Sequence, residues 1–213
     1  MQLNEMTDLF RQKAELVSAK VSEVASLKEA YEYTVDLCEK KEACQLLVSG
    51  CEENLSPKAE ALCETKPTAR IIAAPGMRKN NFSEFKKLAD ERGIMLIDSG
   101  LRNHLGGIDI GFTIADYAVA ETGSVVLDSS SEDLRLATMV SEIHVAVVRK
   151  STLRATTNAL EAELKALMVK DGKAPSYLAF VTGASRTADI ERVLALGVHG
   201  PLELHVLLWE DKK

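Results

Sequence analysis

Residues 69–98 read ARIIAAPGMRKNNFSEFKKLADERGIMLID, and the change of period along them decides the fold class. The apolar run from Ala69 has the length of a buried strand and ends on a Pro75-Gly76 turn. Asn81 to Arg92 then reads as a helix stopped by Gly93, and a second apolar run, Ile94 to Asp98, follows at once. Two strands joined through a helix run in the same direction, which makes the sheet parallel and requires both of its faces to be covered.

The rest of the chain repeats this alternation. Leu3, Met6, Phe10, Ala14 and Val17 share one face of an amphipathic helix. Ser26 is placed to cap a second helix, with Glu29 reaching back to the cap and Tyr31, Val35 and Cys38 forming its apolar stripe. Ser56-Pro57 opens a short helix to about Glu64. Ser130 or Ser131 caps a helix to about Val140, IHVAVV (143–148) is a strand, and Thr157 caps a helix to about Val169. YLAFVTG (177–183) is a strand, Thr187 to Leu196 a helix closed by Gly197, and LELHVLLW (202–209) a last strand. The expected fold is a three-layer α/β/α sandwich around a largely parallel sheet. Residues 1–44 form a helical segment packed on the core, and residues 45–213 form the α/β domain.

Composition narrows the partners. A hydrophobic content of 46% over 213 residues supplies one substantial core. A net charge of -6 argues against nucleic acid as a partner. No apolar window has the length of a membrane span, and the first residues lack the pattern of a secretory signal, so a cytoplasmic location is expected. Cys38, Cys44, Cys51 and Cys63 lack a Cys-x-x-Cys pair and are expected as reduced, mostly buried thiols with no metal site, a disulfide or an unusual metal site being the alternatives.

Two polar clusters can carry chemistry. In IADYAVAETGSVVLD (114–128), Thr122-Gly123 permits close approach of backbone to a ligand or another strand, and Asp116 suits a capped turn or a ligand contact. Glu121 lies between Ala and Val neighbours, where a carboxylate must protonate, find a cation or donor, or face a cleft. Arg135 on the following helix is the nearest cation, and His144 opens the strand IHVAVV. In TGASRTADIERVLALGVHGP (182–201), the amides of Ser185 to Thr187 at a helix start, with the fork of Arg186, make a cradle for a carboxylate or phosphate. Ordinary helix capping explains the same residues. His199 sits on the connection to the last strand and can reach the same crevice. Gly-rich dinucleotide and phosphate loops, a nucleophile elbow and a redox Cys pair are all absent.

The segments ADYAVAETGSVVL, the strand with His144, SRTADIE and GVHGP resemble, in combination and over residues 70–209, the lactate-utilisation family with its LUD domain of LutC type. The resemblance implies a fold like that of phosphosugar isomerases and CoA transferases. It also implies a part in oxidising lactate to pyruvate, with iron-sulfur clusters carried by partner oxidoreductase subunits and no cofactor on this chain. On this reading a crevice binds a small carboxylate through Arg186, nearby amides and Arg135, and Glu121 or His144 takes the hydroxyl proton. The alternatives are a stand-alone transferase or isomerase using Glu121 as nucleophile or base, and a noncatalytic assembly module. The sequence leaves homo-oligomerisation open.

Overall fold

In the computed structural model, residues 2–41, 70–104, 107–169, 172, 174–188, 194–196 and 200–211 are described, with backbone alone for 187–188 and 194–196. The fold centres on six parallel strands: β1 (Ala19–Val24), β2 (Ile71–Ala73), β3 (Met95–Ile97), β4 (Ile108–Ile114), β7 (Ser141–Arg149) and β12 (Glu203–Trp209). Their order is β1-β12-β7-β4-β2-β3. The 69–98 stretch behaves as its period requires: β2, then helix α3 (Lys79–Glu91), then β3 parallel to β2.

Side chains alternating along the strands build a core on each face. On one, Ile143, Val145 and Val147 of β7 meet Tyr31 and Val35 of α2 (Leu27–Lys40) and Phe85 of α3. The Tyr31 and Phe85 rings stack at 4.6 Å. On the other face, Ala146 and Val148 of β7 and Val206 and Leu208 of β12 pack with Phe10 and Ala14 of α1 (Leu3–Leu16).

That second face departs from a pure helical layer. Besides α1 and α4 (Glu132–Met139), it carries a small four-stranded sheet of order β8-β5-β6-β9. This sheet consists of β5 (Tyr117–Val119), β6 (Ser124–Asp128), β8 (Leu153–Arg154) and β9 (Leu178–Val181). Its outer side is covered near Leu160 and by Leu164 of α5 (Glu161–Val169). Among the described residues, no helix is long and apolar enough to cross a membrane.

Four expectations need correction. The segment 1–44 is not helical throughout, because β1 pairs with β12 as an edge strand of the main sheet. Residues 117–128 form the hairpin of β5 and β6, so Glu121 and Thr122 lie exposed on its turn and Glu121 is not the buried carboxylate that its apolar neighbours suggest. YLAFVTG contributes β9 to the small sheet, paired antiparallel with β6. Residues 186–188 (β10) and 194–196 (β11) form an antiparallel ribbon where a helix from Thr187 was expected, since ladder pairing overrides the weak local preference for helix. The expected helix at 57–64, and with it Cys44, Cys51 and Cys63, lies outside the described residues.

Candidate functional site

In a parallel sheet the strands' carboxyl ends and the amino ends of the following helices point the same way, and ligands collect there. A cleft opens at this edge. Its larger lobe, about 500 Å³, is lined by Leu27, Gly76, Met77, Arg78, Asn81, Ile114, Asp116, Arg149 and Trp209. A smaller lobe of about 200 Å³ shares Gly76, Met77, Ile114 and Asp116 with it and adds Asp128, Ser131 and Leu134 among its walls.

Each side chain is placed by a strand end or a helix start. Arg149 and Trp209 are the last residues of β7 and β12, and the Arg149 guanidinium lies over the indole at 5.9 Å. Gly76, in the left-handed region at φ +76, ends the turn after β2, and Arg78 occupies the cap position of α3. Leu27 begins α2, where Ser26 accepts the Glu29 amide at 3.2 Å and the Glu29 carboxylate accepts the Ala25 amide at 2.7 Å. The serine cap is as expected, while Glu29 reaches one residue beyond the cap amide. Among the described residues the Arg78 side chain has no hydrogen bond or ion pair.

Asp116 sits where the two lobes meet. One of its carboxylate oxygens accepts the Asp128 amide at 2.7 Å, and its own amide donates to the Val126 carbonyl at 3.0 Å. Arg135 stands behind this arrangement, donating to the Ser129 and Ser130 carbonyls at 2.7 and 3.0 Å. It therefore braces the loop that carries Asp128 and Ser131 into the smaller lobe.

The other residues singled out in the sequence lie elsewhere. At the far end of β5, Glu121 accepts the Thr157 amide at 2.6 Å, ahead of the 3₁₀ turn leading into α5. Thr122 accepts a hydrogen bond from Ser124 at 2.8 Å, and Ser124 shares another with Thr182 at 2.6 Å. Gly123 makes the close approach expected of it, but to the backbone of α1. His144 is fully buried within β7, its Nε2 2.9 Å from the Thr113 hydroxyl, and burial pushes its pKa down to about 4.

The Ser185 amide donates to the Pro201 carbonyl at 2.9 Å, and the Leu202 amide to the Glu142 carbonyl at 2.8 Å. These bonds place Ser185 by the amino ends of β7 and β12, at the edge of the sheet opposite the cleft. Arg186 is exposed on β10, and Thr187 takes part in the same ribbon through its backbone. His199 lies outside the described residues. The structure thus brings Asp116, with Arg135 behind it, into the cleft and does not bring Glu121, His144 or Arg186 there.

Arg78, Asn81, Arg149 and Trp209 were missed. The available signal was position: each lies at or just beyond the carboxyl end of a strand already legible in the sequence. Among the described residues no group of three or more His, Cys, Asp or Glu is arranged to hold a metal ion. Cys38 is a buried free thiol whose pKa burial pushes up to about 12.

Comparison with known proteins adds a relationship to this geometry. The family model described as LUD domain matches residues 7–209. Lactate utilization protein C of Halalkalibacterium halodurans is 38% identical over 104 residues, covering 49% of this chain and 45% of that protein. The protein of the same name from Shouchella clausii is 36% identical over 104 residues, with the same coverage of 49% and 45%. The matched stretch therefore spans less than half the length of these relatives. The uncharacterized protein YkgG of Escherichia coli K12 is 28% identical over 177 residues, covering 79% of this chain and 77% of that one. The crystal structure of a DUF162 family protein from Deinococcus radiodurans superposes with a TM-score of 0.55 at 18% identity, covering 98% and 99% of the two chains. At that identity the likeness is one of fold.

Proposed function

The chain belongs to the LUD domain family, and from that premise we propose that it serves lactate utilisation by holding a small 2-hydroxy acid in the cleft at the carboxyl ends of its strands. The observation that carries this reading is the juxtaposition of Arg78 and Arg149 with Asp116 around one opening. A guanidinium fork pairs with a carboxylate through two parallel hydrogen bonds. Arg149, steadied against Trp209, anchors the acid's carboxylate and turns the hydroxyl carbon toward Asp116.

Oxidising a 2-hydroxy acid to the 2-oxo acid removes two electrons and two protons. Among the described residues the second carboxylate oxygen of Asp116 has no hydrogen-bond partner, so it is placed to accept the hydroxyl proton. The hydrogen on the hydroxyl carbon would leave with its bonding electron pair to an oxidant on partner oxidoreductase subunits, whose iron-sulfur clusters would carry the electrons onward, leaving this chain to bind and orient the acid.

Calorimetric titration of the full chain with L-lactate, D-lactate and pyruvate tests the binding step. Losing one charge-assisted pair weakens binding by about tenfold or more, so Arg149→Ala should lower affinity by that factor while Arg186→Ala leaves it unchanged. Equal affinity in the wild type and Arg149→Ala would sink the assignment. Asp116→Asn should retain binding and slow turnover in a complex reconstituted with the iron-sulfur subunits.

A further inference from the structure

The cleft is larger than a three-carbon acid requires. Scaled from roughly 30 Å³ per water molecule, an acid of this kind fills on the order of 100 Å³. Clefts of roughly 300–1,000 Å³ enclose ligands several times that size. The larger lobe has about 500 Å³, and the smaller lobe opens from it.

The walls also divide by chemistry. Leu27, Met77, Ile114 and Trp209 are only partly buried, although all four pack against the main core, so they present an apolar wall to the lobe. Arg78 and Asn81 stand at the start of α3, whose first turn carries no acidic residue. Arg149 lines the same lobe, its guanidinium over the indole of Trp209. A largely polar lobe that sets two arginines and an asparagine beside four apolar side chains fits a ligand that joins a flat, weakly polar body to a strongly anionic head.

We propose that the larger lobe takes a second ligand, a phosphate ester bearing a planar ring, with its phosphate on Arg78 and Asn81 and its ring against Trp209. The inference rests on the reading that this cleft is the working site. It does not depend on which acid occupies the part near Asp116. The ester and the acid share the lobe, which Arg149 also lines.

Trp209 is the sole tryptophan of the chain and lines the lobe, so its fluorescence reports occupancy directly. Adenosine 5′-monophosphate is a suitable probe, titrated into the full chain beside inorganic phosphate and adenosine. The expected result is a saturable change in Trp209 emission with the monophosphate. Affinity should fall about tenfold or more in Arg78→Ala and for adenosine, and inorganic phosphate should compete.

A monophosphate that produces no saturable change, or that binds Arg78→Ala as it binds the wild type, overturns the proposal. Adenosine binding as tightly as the monophosphate overturns it too, because the phosphate then contributes nothing. Parallel calorimetry with pyruvate keeps the two readings apart. Pyruvate binding without monophosphate binding refutes the second ligand alone, whereas monophosphate binding without any acid binding refutes the acid assignment and leaves this one standing.

Discussion

Replacing Gly123 by alanine tests whether the turn of the β5–β6 hairpin serves a ligand or the packing of α1. Gly123 has φ +66, a region that costs other residues about 1–2 kcal/mol. A Cβ at this position would lie 2.4 Å from the Ala14 nitrogen and 2.7 Å from the Ala14 Cα and the Lys13 carbonyl carbon. All three are backbone atoms of α1, so no side chain can swing aside. Overpacking of a well-filled contact costs about 1–3 kcal/mol, and the two effects together come to about 2–5 kcal/mol. For a chain of this size each kcal/mol lowers Tm by about 2–4 °C, which predicts a fall of about 4 °C at the least and of more than 10 °C at the upper end. Gly93 supplies the control, because it has the same φ of +66 with no atom within 4 Å of its added Cβ. Gly93→Ala should therefore show the conformational cost alone. Thermal and urea unfolding followed by far-ultraviolet circular dichroism measure both variants. A Gly123→Ala protein no less stable than Gly93→Ala would refute the seating of α1 on the hairpin. A Gly123→Ala protein of unchanged stability that loses acid binding would make the turn a ligand site after all.

Two further outcomes concern the buried polar groups. Burial holds His144 to a pKa of about 4 in the folded chain against an ordinary value of 6.5, so the unfolded chain takes up the proton first as the pH falls. Stability should therefore decline from about pH 6.5 down to about pH 4, by on the order of 3 kcal/mol from this group, and urea unfolding of His144→Gln should show a shallower decline. His205, whose pKa burial also lowers, adds to the slope with the same sign, and parallel curves for wild type and His144→Gln would contradict a neutral buried imidazole. Lys41 pairs with Asp109 at 2.8 Å and Glu142 at 3.0 Å, with only 7% of the Lys41 and Asp109 side chains exposed. Lys41→Met leaves two buried carboxylates without their cation and should cost about 3–5 kcal/mol. Lys86→Met, which breaks an exposed pair with Asp90, should cost about 0.5 kcal/mol or less in the same urea titration.

The parallel core was legible wherever period and punctuation agreed, as in β2-α3-β3 and in the alternating residues of β7. The central strand β4 was not read, because Asp109 and Gly111 in IDIGFTI resemble loop chemistry. Both have reasons that appear only in three dimensions. Asp109 accepts the Ile71 amide at 2.8 Å while pairing with Lys41. Gly111 lets α4 approach so closely that a Cβ would sit 1.9 Å from the Ala137 carbonyl oxygen. Strand β1 has a half-exposed, polar pattern typical of a sheet edge, and its pairing partner β12 lies at the other end of the chain. Residues 186–188 and 194–196 were expected within or beside one helix, yet their backbone is paired as a ribbon, which no local preference encodes.

The candidate site was hard to read for a more general reason. A polar residue inside an apolar run attracts notice because it breaks the pattern, but burial demands that its bonding groups be satisfied. Asp109 and Glu142 meet Lys41 toward the amino ends of β4 and β7, Thr113 meets His144 inside the sheet, and His205 shares hydrogen bonds with Tyr33 and Glu203. Each of these conspicuous residues has a protein partner, and His144, whose Nδ1 is buried without one, is sealed inside the sheet away from the cleft. Arg78 and Arg149 fall at or just beyond strand ends, where a change from apolar to polar is ordinary and the pattern gives no warning, whereas Asp116, which the sequence did single out, joins them just past β4. There the parallel arrangement turns helix starts and strand ends toward one opening, and the charged groups retain bonding capacity toward it. In this fold the polar residues buried within strands hold the sheet together, and apart from Asp116 the cleft's polar residues are ones that look like routine strand boundaries.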